Sequence, residues 1–170
     1  EPESGHFSIG FDRPGTTEQD YLRNTAILRT VHRDAAGAAF AVTDFAPRFR
    51  QFGRIFHPPM IVRLVEPLAG LPRVRVRIRP RAHHGAEAPP LVAGSSHLRW
   101  IAGEGAVRLT TDASIGHLVG ESAFVLTRPL TFILHPDETL ADSPARIGRD
   151  FLEKTTAWWL DWVRSLNVPY

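Results

Sequence analysis

Between residues 73 and 79 the side chains alternate without a break, Val74, Val76 and Ile78 against Arg73, Arg75, Arg77 and Arg79. Successive side chains of an extended chain point to opposite faces, so this segment is predicted as a β-strand with one apolar and one cationic face. An apolar face of that kind must be covered by a second layer. The rest of the first 135 residues repeats strand signals at intervals of roughly 8–15 residues with Gly and Pro between them, which points to an antiparallel sandwich or barrel.

The individual segments are short. Residues 5–11 (GHFSIGF) form an apolar–polar run closed by Asp12, Pro14 and Gly15. Residues 25–32 and 38–45 flank a Gly-ended loop and are predicted to pair as a hairpin. Residues 48–59 (RFRQFGRIFHPP) read as irregular, basic and aromatic, whereas 60–66 (MIVRLVE) form a continuous apolar strand. Residues 82–90 make a polar loop with two prolines, and 97–102 and 106–111 form a second hairpin around Gly103-Glu104-Gly105. Segments 123–126 and 130–134, broken by Arg128-Pro129, suit strand ends or a corner.

The pattern changes at Asp142. Ser143 is placed to cap a helix with Pro144 at its first position. Ile147, Phe151, Thr155, Trp158, Trp162 and Leu166 then recur at spacings of three and four, with Leu152, Trp159 and Val163 as a neighbouring stripe. The helix is expected to end before Asn167 and Pro169. The fold class expected is therefore all-β, an antiparallel β-sandwich over residues 1–141 followed by a C-terminal helix over 142–170. Three of the four tryptophans lie on that helix. Two apolar stripes exceed what a lone sandwich covers, which favours docking on a following domain through Trp158, Trp159 and Trp162.

Charge restricts the function classes. Twenty Lys and Arg side chains stand against eighteen acids, and Lys154 is the one lysine. Arginine never titrates in a protein, so the sequence pI of 9.7 overstates the cationic excess. Arg73, Arg75, Arg77, Arg79 and Arg81 are the candidate basic patch; the competing reading is a solvated strand face paired with acids on its neighbours. Without interleaved aromatics as stacking platforms, nucleic acid is not an expected partner. No apolar run is long enough for a membrane span and no signal-peptide pattern is present, so no membrane partner is expected. The absence of cysteine removes disulfides, thiolate metal sites and cysteine catalysis, and together these absences predict a cytoplasmic location. The chain begins at Glu1 and its one methionine is Met60, which predicts a piece of something longer.

No catalytic constellation stands out. His83 and His84 are adjacent but lack a third ligand at metal-site spacing, so neither a metal nor another cofactor is expected. Asp44 and Glu66 lie in strands close to arginines, where ion pairing is the better reading. Gly94-Ser95-Ser96-His97 and Gly120-Glu121-Ser122-Ala123 are not nucleophile elbows, and Gly103-Glu104-Gly105 is no phosphate loop because no helix follows it.

Several segments nevertheless resemble, in order and spacing, the N-terminal domain of glycoside hydrolase family 15, the bacterial trehalases and glucoamylase-like enzymes. They are residues 5–9 (GHFSI), 21–28 (YLRNTAIL), 42–48 (VTDFAPR), 59–66 (PMIVRLVE), 76–81 (VRIRPR), 151–156 (FLEKTT) and 159–162 (WLDW). The resemblance implies a supersandwich-like domain whose helix leads into an (α/α)6 catalytic barrel that inverts terminal α-glucosidic bonds with two carboxylates. It places both carboxylates beyond Tyr170, so no catalytic residue falls on this sequence, and the carbohydrate substrate is reached only through the barrel. The chain departs from the family pattern at Ala82-His83-His84, where an aromatic stretch is usual. A stand-alone carbohydrate-binding module and a nucleic-acid-binding β module are the alternatives.

Overall fold

The computed structural model describes residues 5–103 and 105–166. Glu104, Asn167, Pro169 and Tyr170, which figure in the expectations above, lie outside the described residues. Among the described residues there are thirteen strands: β1 (His6–Phe11), β2 (Gly15–Tyr21), β3 (Leu28–Asp34), β4 (Ala39–Phe45), β5 (Phe49–Gln51), β6 (Arg54–Phe56), β7 (Ile61–Ala69), β8 (Arg73–Arg79), β9 (Leu91–Ala93), β10 (His97–Ala102), β11 (Gly105–Thr111), β12 (Phe124–Val125) and β13 (Leu130–Pro136). Two helices, α1 (Ile115–Val119) and α2 (Pro144–Ser165), complete it. The fold is an all-β sandwich with a C-terminal helix.

Eight strands form the large antiparallel sheet, in the order β2-β3-β4-β7-β13-β11-β10-β9. The smaller sheet, β1-β8-β12, is laid over one of its faces. Here the alternation of β8 has its use: Val74 and Val76 join Ile9 of β1 against Phe40, Val42, Val65, Leu98, Leu109 and Phe132 of the large sheet. The arginines between them point outward. Trp100, 5% exposed, belongs to this core and is no surface platform.

The opposite face of the large sheet carries α2. Val62 and Ile133 pack there with Ile147, Phe151 and Leu152. Phe132 and Ile133 are consecutive and both fully buried, one in each core. Such two-sided burial is why the middle strands read as continuous apolar runs instead of alternating. The helix passes so close that a Cβ on Gly148 would meet Leu64 Cδ2 at 2.7 Å and Thr131 Cγ2 at 2.8 Å. Ser143 occupies the N-cap position with Pro144 following, but its hydroxyl makes no capping bond; its carbonyl accepts from Arg146 N and Ile147 N.

Several elements were not visible in the sequence. β2 is exposed at every position and carries no apolar period, since it is an edge strand with no core beneath it. The stretch 48–59 is not irregular: it contains the β5–β6 hairpin, its strands three residues each. Pro67 lies inside β7, beside a register shift at Ala39/Phe40 and beyond the last β13 pair, Val65 with Leu130. A bulge of this kind is where a strand tolerates proline.

Candidate functional site

Three of the four outward arginines of β8 meet an acid locally. Arg73 Nε donates to Asp12 Oδ2 at 2.9 Å, just beyond β1. Arg79 makes a bidentate pair with Glu121 at 2.7 and 2.6 Å, and Arg77 Nε lies 3.5 Å from the same carboxylate. The hydrogen bond from Arg79 holds the Glu121 carboxyl below the usual carboxylate range, against the opposing effect of burial. Arg75 Nε is buried without a hydrogen-bond partner, and Arg81 packs its stem against Gly5. The strand that reads as a basic patch is thus, at three of its five arginines, one side of an ion-pair lattice.

The two singled-out carboxylates are also engaged. Arg63 Nε and Nη2 reach Asp44 at 2.7 and 2.9 Å, while Nη1 donates to the Phe7 carbonyl at 2.6 Å and the guanidinium lies over the Phe7 ring. One arginine therefore ties β7 and β4 to β1, across the two sheets. Glu66 accepts from Arg29 at 3.0 Å. His83 and His84 sit in a 3-10 turn, both in the left-handed region, and among the described residues no three His, Asp or Glu side chains gather as a metal site. Among the described residues no helix is long and apolar enough to cross a membrane.

The three tryptophans of α2 form a chain of edge-to-face contacts, Trp158 with Trp159 at 4.8 Å and Trp159 with Trp162 at 5.6 Å. Their cover declines along the helix. Thr155 is fully buried and its hydroxyl accepts from Arg48 N at 3.2 Å, but Trp162 is 44% exposed and Leu166 46%. Beside them stands the β5–β6 hairpin, pinned by Phe49, Phe56 and Phe151, whose ring centroids lie 4.9–5.6 Å apart. Between hairpin and helix runs an open groove of about 560 Å³, lined among others by Arg48, Phe49, Ile55, Lys154, Trp158 and Trp162. The Arg48 guanidinium lies 4.7 Å over the Trp158 ring.

The hairpin's tip is unusual. Gln51 pairs with Arg54, leaving a two-residue turn in which Phe52 has φ 50° and Gly53 φ 74°. A turn with both central residues in the left-handed region favours Asn-Gly, because a Cβ with a large side chain is strained there. Phe52 takes that position and is 94% exposed. The sequence does hold a trace of this surface, the basic-aromatic composition of residues 48–59, but three-residue strands offer no period to read.

A sugar-binding sheet face needs a row of exposed aromatics, and among the described residues of the two main sheets the one strongly exposed aromatic is Tyr21, alone on edge strand β2. The chain matches no family model, no curated protein and no solved structure.

Proposed function

We propose that this chain is a non-catalytic support domain, the N-terminal sandwich of a glycoside hydrolase of family 15 type that acts on terminal α-glucosidic bonds. The partner is a catalytic (α/α)6 barrel in the same parent chain, and carbohydrate is met through that barrel. The reading draws on the resemblance of the seven segments, and on a sandwich fold followed by a helix. The observation that carries it is the uneven cover of α2. Its first half is a layer of the sandwich, through Ile147, Gly148, Phe151 and Thr155, while its second half presents Trp162 and Leu166 with no layer of the described residues over them. Exposed tryptophan beside further apolar surface marks a place where another protein surface sits.

Glucose release from trehalose and from maltose tests the reading, with the uninterrupted gene product and the 170-residue chain side by side. Activity in the longer protein alone is expected. Activity in the short chain overturns the assignment of a support role, and activity in neither overturns the glucosidase assignment.

A further inference from the structure

The hairpin tip, the groove and the end of α2 adjoin one another, and three arginines stand there without an acid partner. Among the described residues Arg48, Arg50 and Arg54 form no ion pair, and neither do Arg13, Arg23, Arg33, Arg75, Arg81 and Arg149; what marks the first three is their place, Arg48 and Arg50 lining the groove and Arg54 the adjoining face of the hairpin tip. Arg48 Nε is buried with no hydrogen-bond partner. The nearby acids are committed elsewhere, Asp150 to Lys154 at 2.7 Å and Asp161 to Arg164 at 3.0 Å. Arg48 and Arg50 therefore line the groove without an acid partner, Arg54 flanks the hairpin tip next to it, and Phe52 is held out at that tip in a conformation that costs the fold stability and contributes no packing in return.

We infer that this surface docks an acidic protein face, one that presents an apolar ridge to the groove, carboxylates to Arg48, Arg50 and Arg54, and a pocket for Phe52. The identification of that face with the catalytic barrel rests on the function proposed above; the chemistry of the partner does not. The groove argues for a protein, since its lining by Phe49, Ile55, Trp158 and Trp162 takes an apolar ridge that a bilayer does not offer, whereas the convex Phe52 tip by itself suits either surface. The residue types agree, because Trp and Arg dominate binding energy at protein interfaces and Arg forms bidentate bonds with carboxylates. An exposed aromatic kept in a left-handed turn position is strain retained at a working site.

Hydroxyl-radical footprinting of Phe52 and Trp162, read by mass spectrometry, tests this in the longer gene product and in the 170-residue chain, alongside the glucosidase assay. Strong protection of both residues in the longer protein is expected, and charge reversal by R50E with R54E should restore their labelling there while leaving the melting temperature of the short chain unchanged. Phe52→Asn, which creates the favoured Asn-Gly turn, should likewise expose Trp162 in the longer protein without loss of folding. An active longer protein with Phe52 and Trp162 labelled as strongly as in the short chain overturns the docking surface and leaves the glucosidase reading in place. Protection in an inactive longer protein supports the docking surface and removes the glucosidase reading. Protection of the short chain by phosphatidylserine vesicles overturns the inference in favour of a lipid surface.

Discussion

Two arginine-rich regions of this molecule differ in what their neighbours do. On β8 the arginines come every second residue, and Asp12 and Glu121 reach Arg73, Arg77 and Arg79 from adjacent segments. On the β5–β6 hairpin and the residue before it, Arg48, Arg50 and Arg54 are fewer and are not met by any acid among the described residues. The conspicuous run is largely structural, three of its arginines held by two carboxylates within the fold. The quieter one keeps its charge and sets it beside exposed aromatic surface. Regular spacing of cations reveals a strand's outer face; availability for a partner depends on where the acids fall in three dimensions.

The largest effect expected from breaking this contrast is at Phe151, which fastens the hairpin to α2 through both Phe49 and Phe56. Phe151→Ala should cost about 3 kcal/mol, at the lower end for a large aromatic because the ring is half-buried. Chemical denaturation measures it, and hydrogen exchange should show the amides of β5 and β6 losing protection while those of β8 keep theirs. Equal loss in both would mean that the hairpin and the small sheet are one cooperative unit. Trp162→Ala in the same chain should cost only about 1 kcal/mol, mainly the edge-to-face contact with Trp159.

Phe52→Asn works in the opposite direction. Relief of the left-handed strain should stabilise the isolated chain by about 1 kcal/mol, with no packing lost from a side chain that is almost wholly exposed. A lower melting temperature would show that Phe52 packs on the domain after all, and the strain argument would fail.

These two regions also show how far the sequence can be read. Alternation in 73–79, the Asp34-centred loop between β3 and β4, and the change of period at Asp142 each leave a signature, because each is enforced by a core face or a turn within a few residues. Asp34 Oδ1, for instance, accepts from both Ala36 N and Ala38 N, and Gly37 takes the left-handed position. The hairpin leaves none. Its strands are too short for a period, its turn has Phe where Asn is favoured, and it is held by Phe151, about a hundred residues away in sequence. Likewise, nothing in the order of residues says that Glu121 lies across from Arg79. The tryptophan stripe was legible as a helix face, but which half of it the sandwich covers is decided by the length of the sheet beneath.

If cancellation is what silences β8, removing the acids should unmask it. Asp12→Asn with Glu121→Gln leaves Arg73, Arg77 and Arg79 unpaired, at a stability cost of no more than about 1 kcal/mol for each exposed pair. The double variant is expected to gain binding to a fluorescently labelled DNA duplex at low salt, falling steeply as salt rises because counterions are released for each phosphate contacted. Fluorescence anisotropy with the unaltered chain as reference gives the comparison. Binding of equal strength by both proteins would place the polyanion contact on the hairpin instead, and the view of β8 as a closed lattice would be lost.

Acid should produce a milder version of the same unmasking, and its sign follows from the direction of the shift. Glu121 is held below the ordinary carboxylate range, first by the Arg79 hydrogen bond, so its pair contributes stability above the unfolded-state pKa of about 4.3. That contribution is lost as the pH falls through the lower folded value, and it amounts to a fraction of a kcal/mol because the pair is solvent-screened. Asp137, held down first by its hydrogen bond from Arg99, titrates in the same direction. His135, His32 and His97 are shifted down first by burial, so the unfolded state takes up their protons first and the fold loses stability as the pH falls below about 6.5, above the range in which the carboxylates titrate. Two separate acid limbs should therefore appear in the melting temperature. Arginine Nε–H signals followed by NMR distinguish the regions: below the second limb those of Arg77 and Arg79 should broaden as Glu121 is neutralised, while those of Arg50 and Arg54, with no carboxylate to lose, should not change. Simultaneous broadening in all four would mean that the hairpin arginines are paired in solution, and the contrast between the regions would disappear.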